Sequence, residues 1–307
     1  MRNIKKTLVL LFCFSLLVPL LRPEQEKPFR RRLSLKLGGG GGFALIGSVN
    51  RSLGLLNNNE TFKKLREDDP DSISGEIKGL NNWLADWEIE LRMDLSPKIS
   101  IGIAASAPFH RREESSLSYA IFENGIRGPR IQTLQYRTEA RVSMPIKLNF
   151  YYSRRYWKKP KLTLTAGIGY YPARLSQYSS VWIDNAFGSD YLEVKAKFPI
   201  GVHGGVSLEY PVLKNLFLVM DIQARYVFLD NLQGREELRG SDGGIINETN
   251  GRLYSYESGD RDIPAFYDVL AIFETLEKAL EYAGRVRNAT LDLTGVILRV
   301  GFRVPLF

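Results

Sequence analysis

Residues 33–49 read LSLKLGGGGGFALIGSV, five consecutive glycines set inside an apolar run. Leu33, Leu35 and Leu37 precede the glycines at alternate positions, and Phe43, Leu45 and Val49 follow on the same parity. Ser34, Lys36, Ala44 and Ser48 hold the other parity. A flexible linker has no need to keep phase. A phosphate-cradling loop ends in GK[ST] and opens a helix, and neither is present. Kept phase is what a β-strand requires, because its side chains alternate between two faces. The stretch reads as a strand thinned to backbone, with a hinge between two shorter strands as the alternative. If this strand closes onto the last one, Gly38, Gly40 and Gly42 leave room for Arg299 and Arg303.

The same period of two recurs through the chain. It runs through residues 85–95, 99–106, 134–150, 162–170, 192–210, 218–228 and 296–306, which with the first makes eight segments. Leu291 and Leu293, upstream of the last, sit on the opposite parity, which predicts a bulge near Gly295. The connections alternate in length. Residues 96–98, SRRYWKKP at 153–160 and PVLKN at 211–215 are short. Residues 50–82, 111–130, 174–189 and 230–287 are long. Trp83, Trp87, Tyr170, Tyr226 and Phe228 gather near the long loops, and Tyr151, Tyr152, Trp157, Tyr210 and Phe217 near the short turns. Such amphipathic rings favour the two interfaces of a bilayer. The fold class expected is all-β: an antiparallel up-and-down transmembrane barrel of eight strands, with short periplasmic turns and long extracellular loops. A soluble barrel of lipocalin type shares the alternation but points its apolar face inward.

Residues 1–22, MRNIKKTLVLLFCFSLLVPLLR, have the charged start and short apolar core of an export signal, with an uncleaved anchor as the alternative. Residues 23–32 are a polar lead-in and 33–307 the barrel domain. The only cysteine, Cys13, lies in the signal, so the exported chain uses no disulfide. Signal, eight alternating segments, short and long connections and terminal Phe307 together resemble the bacterial outer-membrane eight-stranded barrels of OmpA and OmpX type. The resemblance implies an outer-membrane location, an assembly signal at Phe307, and outer-membrane lipids and the barrel assembly machinery as partners.

The polar parity carries both signs. Lys36, Arg92, Arg137, Arg141, Lys147, Lys195, Lys197, Arg225, Arg299 and Arg303 face Asp86, Glu88, Glu90, Asp94, Glu139, Glu193, Glu209 and Asp221. Buried charge requires partners, so these residues are expected to form a network across the lumen. An eight-stranded barrel is narrow enough to be filled by it, which argues against an open pore. The formal charge of +8 is placed at the lead-in and short-turn end, through residues such as Lys98, Arg154 and Lys214, against anionic headgroups rather than nucleic acid.

The last long loop suggests a hairpin around Asn250-Gly251, with ten strands if it joins the wall, and then an amphipathic helix between Pro264 and Gly284. Capping the barrel mouth, lying in the interface and binding a partner are its possible roles. For catalysis, His110 with the following Arg111, Arg112, Glu113, Glu114, Ser115 and Ser116 is the one cluster near the outer rim, and it matches no catalytic motif. His203 falls on the lumen parity. No cofactor motif or metal-ligand spacing occurs, and Glu67, Asp68, Asp69 and Asp71 read as a solvated acidic tract. The expected role is structural or interactive, through membrane integrity, adhesion or an extracellular ligand held by the loops. A narrow channel and a lipid A acyltransferase or deacylase are the alternatives.

Overall fold

The computed structural model describes residues 32–57, 66–67, 73–121, 130–155, 160–183, 186–258, 267–282 and 286–306. The signal and lead-in through Arg31, Trp157, Pro264, Gly284 and Phe307 lie outside the described residues, as do Asp68, Asp69 and Asp71 of the acidic tract.

Eight strands close a barrel: β1 (Arg32–Ala44), β3 (Trp83–Asp94), β4 (Ile99–Ser106), β7 (Ile146–Arg155), β8 (Lys161–Tyr170), β11 (Ile200–Leu213), β12 (Leu216–Tyr226) and β19 (Gly295–Pro305). Each is antiparallel to its neighbours in chain order, and β1 meets β19 at the seam. The five glycines lie inside β1, paired on one side with residues 297–301 of β19 and on the other with residues 84–88 of β3. The stretch is one strand. Val49, however, has left it and lies in a helix, α1 (Ser48–Asn57).

The glycines serve the seam in a different way from that expected. A Cβ on Gly38 would only touch the Arg299 side chain, at 3.8 Å. On Gly40 it would fall 1.9 Å from the Leu298 carbonyl oxygen, and on Gly301 it would fall 2.0 Å from that of Leu37. Backbone approaches backbone across the seam, and the arginines are not the reason.

Outward, the barrel is apolar. Leu37, Ile89, Ile103, Leu148, Ile168, Val206, Met220 and Val300, one from each strand, are 43–62% exposed. Inward, the same strands bury Lys36, Glu88, Lys147, Glu209, Asp221 and Arg299. This is the inverse of a water-soluble barrel, and it is the arrangement a bilayer demands.

The long loops are themselves folded. β2 (Ile73–Glu76), β5 (Phe109–Ile121), β6 (Arg130–Val142), β9 (Ala173–Ile183), β10 (Ala186–Ala196), β14 (Leu232–Arg239), β15 (Ile245–Ser258) and β16 (Tyr267–Phe273) make a second antiparallel sheet, with β17 (Val286–Asn288) beside β15. The short pair β13 (Phe228–Leu229) and β18 (Leu291–Asp292) lies between β12 and β19 in the chain. This cap obeys the opposite rule. Its core is apolar, built from Leu117, Leu175, Leu192, Leu232, Leu253 and Leu291, with Val49 and Leu53 supplied by α1. Each such side chain contributes about 1.5–3 kcal/mol by leaving water.

The inward face therefore changes from polar to apolar within two to six residues in the walls of β3, β12 and β19. It passes from Asp86 to Leu84, from Gln223 to Val227, and from Arg299 through Ile297 to Leu293. No bulge lies in the last strand, because β19 pairs with β1 without a register shift. Leu291 and Leu293 change parity class because the solvent changes, not the strand. At three other junctions the chain itself turns over. Ile146 and Leu148 point out while Val142 and Ala140, on the same sequence parity, point in; residues 143–145 make the turn. Residues 107–108 and 197–199 do the same.

Four of these junctions carry a proline: Pro108, Pro145, Pro172 and Pro199. Proline lacks the N–H that a sheet interior requires, so it marks where one ladder ends and the next begins. The junctions bond to one another instead. Ser106 N–H donates to the Pro145 carbonyl at 3.1 Å, Ser143 to Pro172 at 2.9 Å and Tyr171 to Pro199 at 2.6 Å. A collar of backbone hydrogen bonds thus separates barrel from cap.

Two expectations for the last loop are corrected. β15 runs straight through Asn250-Gly251 and pairs inside the cap, so the barrel wall keeps eight strands; the turn falls at residues 240–244, where Gly243 has φ 77°. The stretch expected as one helix divides between a strand and a helix. Its residues 267–273 form β16, burying Leu270 and Ile272 on alternate positions, and α2 (Leu276–Tyr282) is the helical part among the described residues. YDVLAIF is rich in aromatic and β-branched residues, and an open sheet edge outweighs an apolar spacing that also fits a helix. On α2 Ala279 is buried, while Leu276 and Leu280 stand exposed.

Candidate functional site

The lumen is organised in layers around acids from β3. Nearest the cap, Arg299 pairs with Asp86 and donates to Gln223 at 3.2 Å. Below it, Glu88 is the hub: it binds Lys147, Lys36 at 3.3 Å and Arg299 at 3.4 Å, and Lys36 reaches on to Asp221 at 2.5 Å. Ser207 donates to that same aspartate at 2.6 Å. Next, Glu90 accepts from Tyr151 and from Asn149 at 2.9 Å, and His203 Nε2 lies 2.6 Å from the Asn149 side-chain oxygen. Towards the short turns, Glu209 is held between Arg92 at 2.9 Å and Arg303 at 2.6 Å. Arg92 also stacks over the Tyr151 ring at 4.1 Å. Tyr151 is thus a lumen residue rather than part of an interfacial girdle.

The void left between Lys36, Glu88, Tyr151, Asp221 and Arg299 measures about 10 Å³, about the least space that holds one water. Above it the apolar core of the cap lies across the mouth.

The structure therefore places Lys36, Glu88, Glu90, Arg92, Glu209, Asp221, Arg299 and Arg303 together in the lumen. Arg225 sits at the boundary, its Nε donating to the Leu293 carbonyl at 2.8 Å. It does not bring Arg137, Glu139, Arg141, Glu193 and Lys195 there. These five belong to β6 and β10 and lie on the outer face of the cap sheet, because residues 143–145 and 197–199 turn the strands over. Parity alone cannot register that turn; Pro108, Pro145 and Pro199, one at each turn-over, are the signal that does.

His110 is also on this outer face, 3.0 Å from Glu139. Ser116 is six residues along the same extended strand, about 20 Å away, and Ser115 points to the other face. The HRREESS set does not converge.

A second feature lies at the outer end of the cap, a cleft of about 430 Å³ whose walls include Asp190, Glu236, Tyr256, Phe273 and Lys278. Glu236 accepts from the Ile272 N–H at 2.7 Å. Burial, and then the neighbouring Asp190, push its carboxyl up to about 7, and burial raises Asp190 as well. The folded cap thus keeps Glu236 protonated at pH values where an unfolded chain has ionised it. Stability from this group is unchanged below about 4.5, falls as pH rises to about 7 and is level above. Near-ultraviolet melting curves at pH 5 and pH 8 are expected to show the cap melting lower at pH 8. Glu236→Gln should reduce that difference; an undiminished difference would remove the carboxyl as its cause.

No family model and no curated protein matches the chain. Among solved structures, the chain is similar to a major outer membrane protein of Thermus thermophilus, at 10% identity and TM-score 0.37, over 91% of this chain and 100% of that one. It is similar to OprG of Pseudomonas aeruginosa at 9% identity and TM-score 0.36, over 90% and 97% of the two chains. It is also similar to the outer membrane protease OmpT of Escherichia coli at 10% identity and TM-score 0.36, over 93% and 99%. At such scores the weight rests on this chain's own closed strand order and outward apolar belt, which are those of an outer-membrane β-barrel.

Proposed function

We propose that the protein is a closed outer-membrane barrel whose role is structural and interactive: it anchors a folded β cap at the cell surface and passes no solute. The observation that carries this is the lumen layered with buried ion pairs, with about 10 Å³ of space between Lys36, Glu88, Tyr151, Asp221 and Arg299, and overlain by the apolar cap core. Long loops face outward in barrels of this architecture, so the cap is the surface offered to the exterior. A channel would need the Glu88 and Glu209 layers to part, leaving buried ions unpaired at a cost of several kcal/mol each. Planar bilayers loaded with the purified protein are expected to stay silent. Reproducible conductance steps that change size in Glu88→Gln would overturn the closed reading in favour of a narrow path.

A further inference from the structure

Register across the cap sheet lines up a row that no parity argument shows. His110 of β5 pairs with Arg141 of β6, Arg141 with Arg174 of β9, and Arg174 with Lys195 of β10. Four basic residues thus stand side by side on adjacent strands of the outer face, spaced by about 5 Å over about 14 Å. All four are exposed. Arg141, Arg174 and Lys195 carry like charge, and like charges directly opposite one another across a ladder destabilise it, so this row costs the sheet free energy while it stands alone.

The acids that relieve it lie in the next row out, and they reach only part of it. Glu139 takes His110 at 3.0 Å and Glu193 takes Arg174 at 3.2 Å. Arg141 and Lys195 have no carboxylate partner among the described residues. The cations face the membrane side of the sheet and the acids lie beyond them.

The height of the row is set by the residues beneath it. On the membrane side the last exposed apolar side chains are Met144 at 49%, Tyr170 at 51% and Phe198 at 69%. They lie three or four positions from Arg141, Arg174 and Lys195, about 10 Å along the strand. For a strand tilted by about 40° that is a rise of about 8 Å. A headgroup band is about 5–8 Å thick on each side of the hydrocarbon. The row therefore stands at the level of lipid phosphates.

We propose that His110, Arg141, Arg174 and Lys195 form a binding row for the phosphate groups of lipids in the cap-side leaflet. This rests on the membrane reading above. Arginine and lysine side by side suit a headgroup carrying more than one phosphate, since each oxygen can take a charge-assisted hydrogen bond.

The test uses the full folded chain in non-ionic detergent, with short-chain phosphatidic acid as probe, short-chain phosphatidylcholine as the zwitterionic control and inorganic phosphate as competitor. Retention of the heat-dependent gel shift first establishes that each variant is a closed barrel, so a failure of the membrane reading is seen separately. Wild type should bind phosphatidic acid at least tenfold more tightly than phosphatidylcholine, and Arg141→Gln with Lys195→Gln should abolish the preference. Arg137→Gln, two rows up and already paired with Glu114, should keep it. Equal binding by wild type and the double variant would overturn the row. Inorganic phosphate binding as tightly as the lipid would overturn the lipid as its occupant.

Discussion

Replacing Glu88 by alanine is expected to be among the most damaging single changes in the lumen, lowering unfolding stability by about 3–5 kcal/mol. The carboxylate touches Lys147, Lys36 and Arg299, and all three cations are buried. Removing it leaves them facing one another without a shared counter-charge. Denaturant unfolding in detergent micelles, followed by the folded-to-unfolded gel shift, measures the loss. The explanation is charge rather than packing, so Glu88→Gln should lose most of the same amount. Glu88→Gln combined with Lys147→Met, which removes one charge of each sign, should recover a good part. A Glu88→Ala protein within about 0.5 kcal/mol of wild type would show that the network contributes no more than surface ion pairs do.

Gly40→Val should prevent the barrel from closing. The added Cβ would meet the Leu298 carbonyl oxygen at 1.9 Å and its carbon at 2.8 Å, and both are backbone, so no rotamer change relieves the overlap. Separating the strands breaks ladder bonds at the one place where the two ends of the chain meet. The cost is about 3 kcal/mol or more. The expected result is loss of heat-modifiable protein from the membrane fraction. Gly39→Ala is the matched control, since nothing lies within 4 Å of a Cβ there. If Gly40→Val folds and melts like wild type, the close seam is not what the glycines are for.

The barrel was open to sequence reasoning because a membrane wall writes its two solvents into alternate residues. Leu33-Leu35-Leu37 and Phe43-Leu45 kept phase across five glycines, and Glu88, Arg92, Glu209 and Arg299 fell on the polar parity for the same reason. The cap was hidden by that very signal. Leu134 to Phe150 is one unbroken apolar parity, yet Val142 points in and Ile146 points out. Periodicity reports that faces alternate and is silent on a half-turn between segments. Arg137, Glu139, Arg141, Glu193 and Lys195 were misplaced by that silence. Helical spacing misled in the same way at residues 266–280, where a coincidence of apolar positions masked the β-branched and aromatic content of β16.

The proline collar also fixes the molecule's depth. Immediately to one side of it, an outward Ile146 or Ile200 needs hydrocarbon; to the other, Arg141 and Lys195 need water. Sliding the protein along the membrane normal by about 8 Å would carry those cations down to the hydrocarbon or lift the isoleucines out of it. The wall therefore behaves as a float with a marked waterline. Local bilayer thickness is therefore expected to adjust to the barrel, whose neutral zone is no wider than a headgroup band.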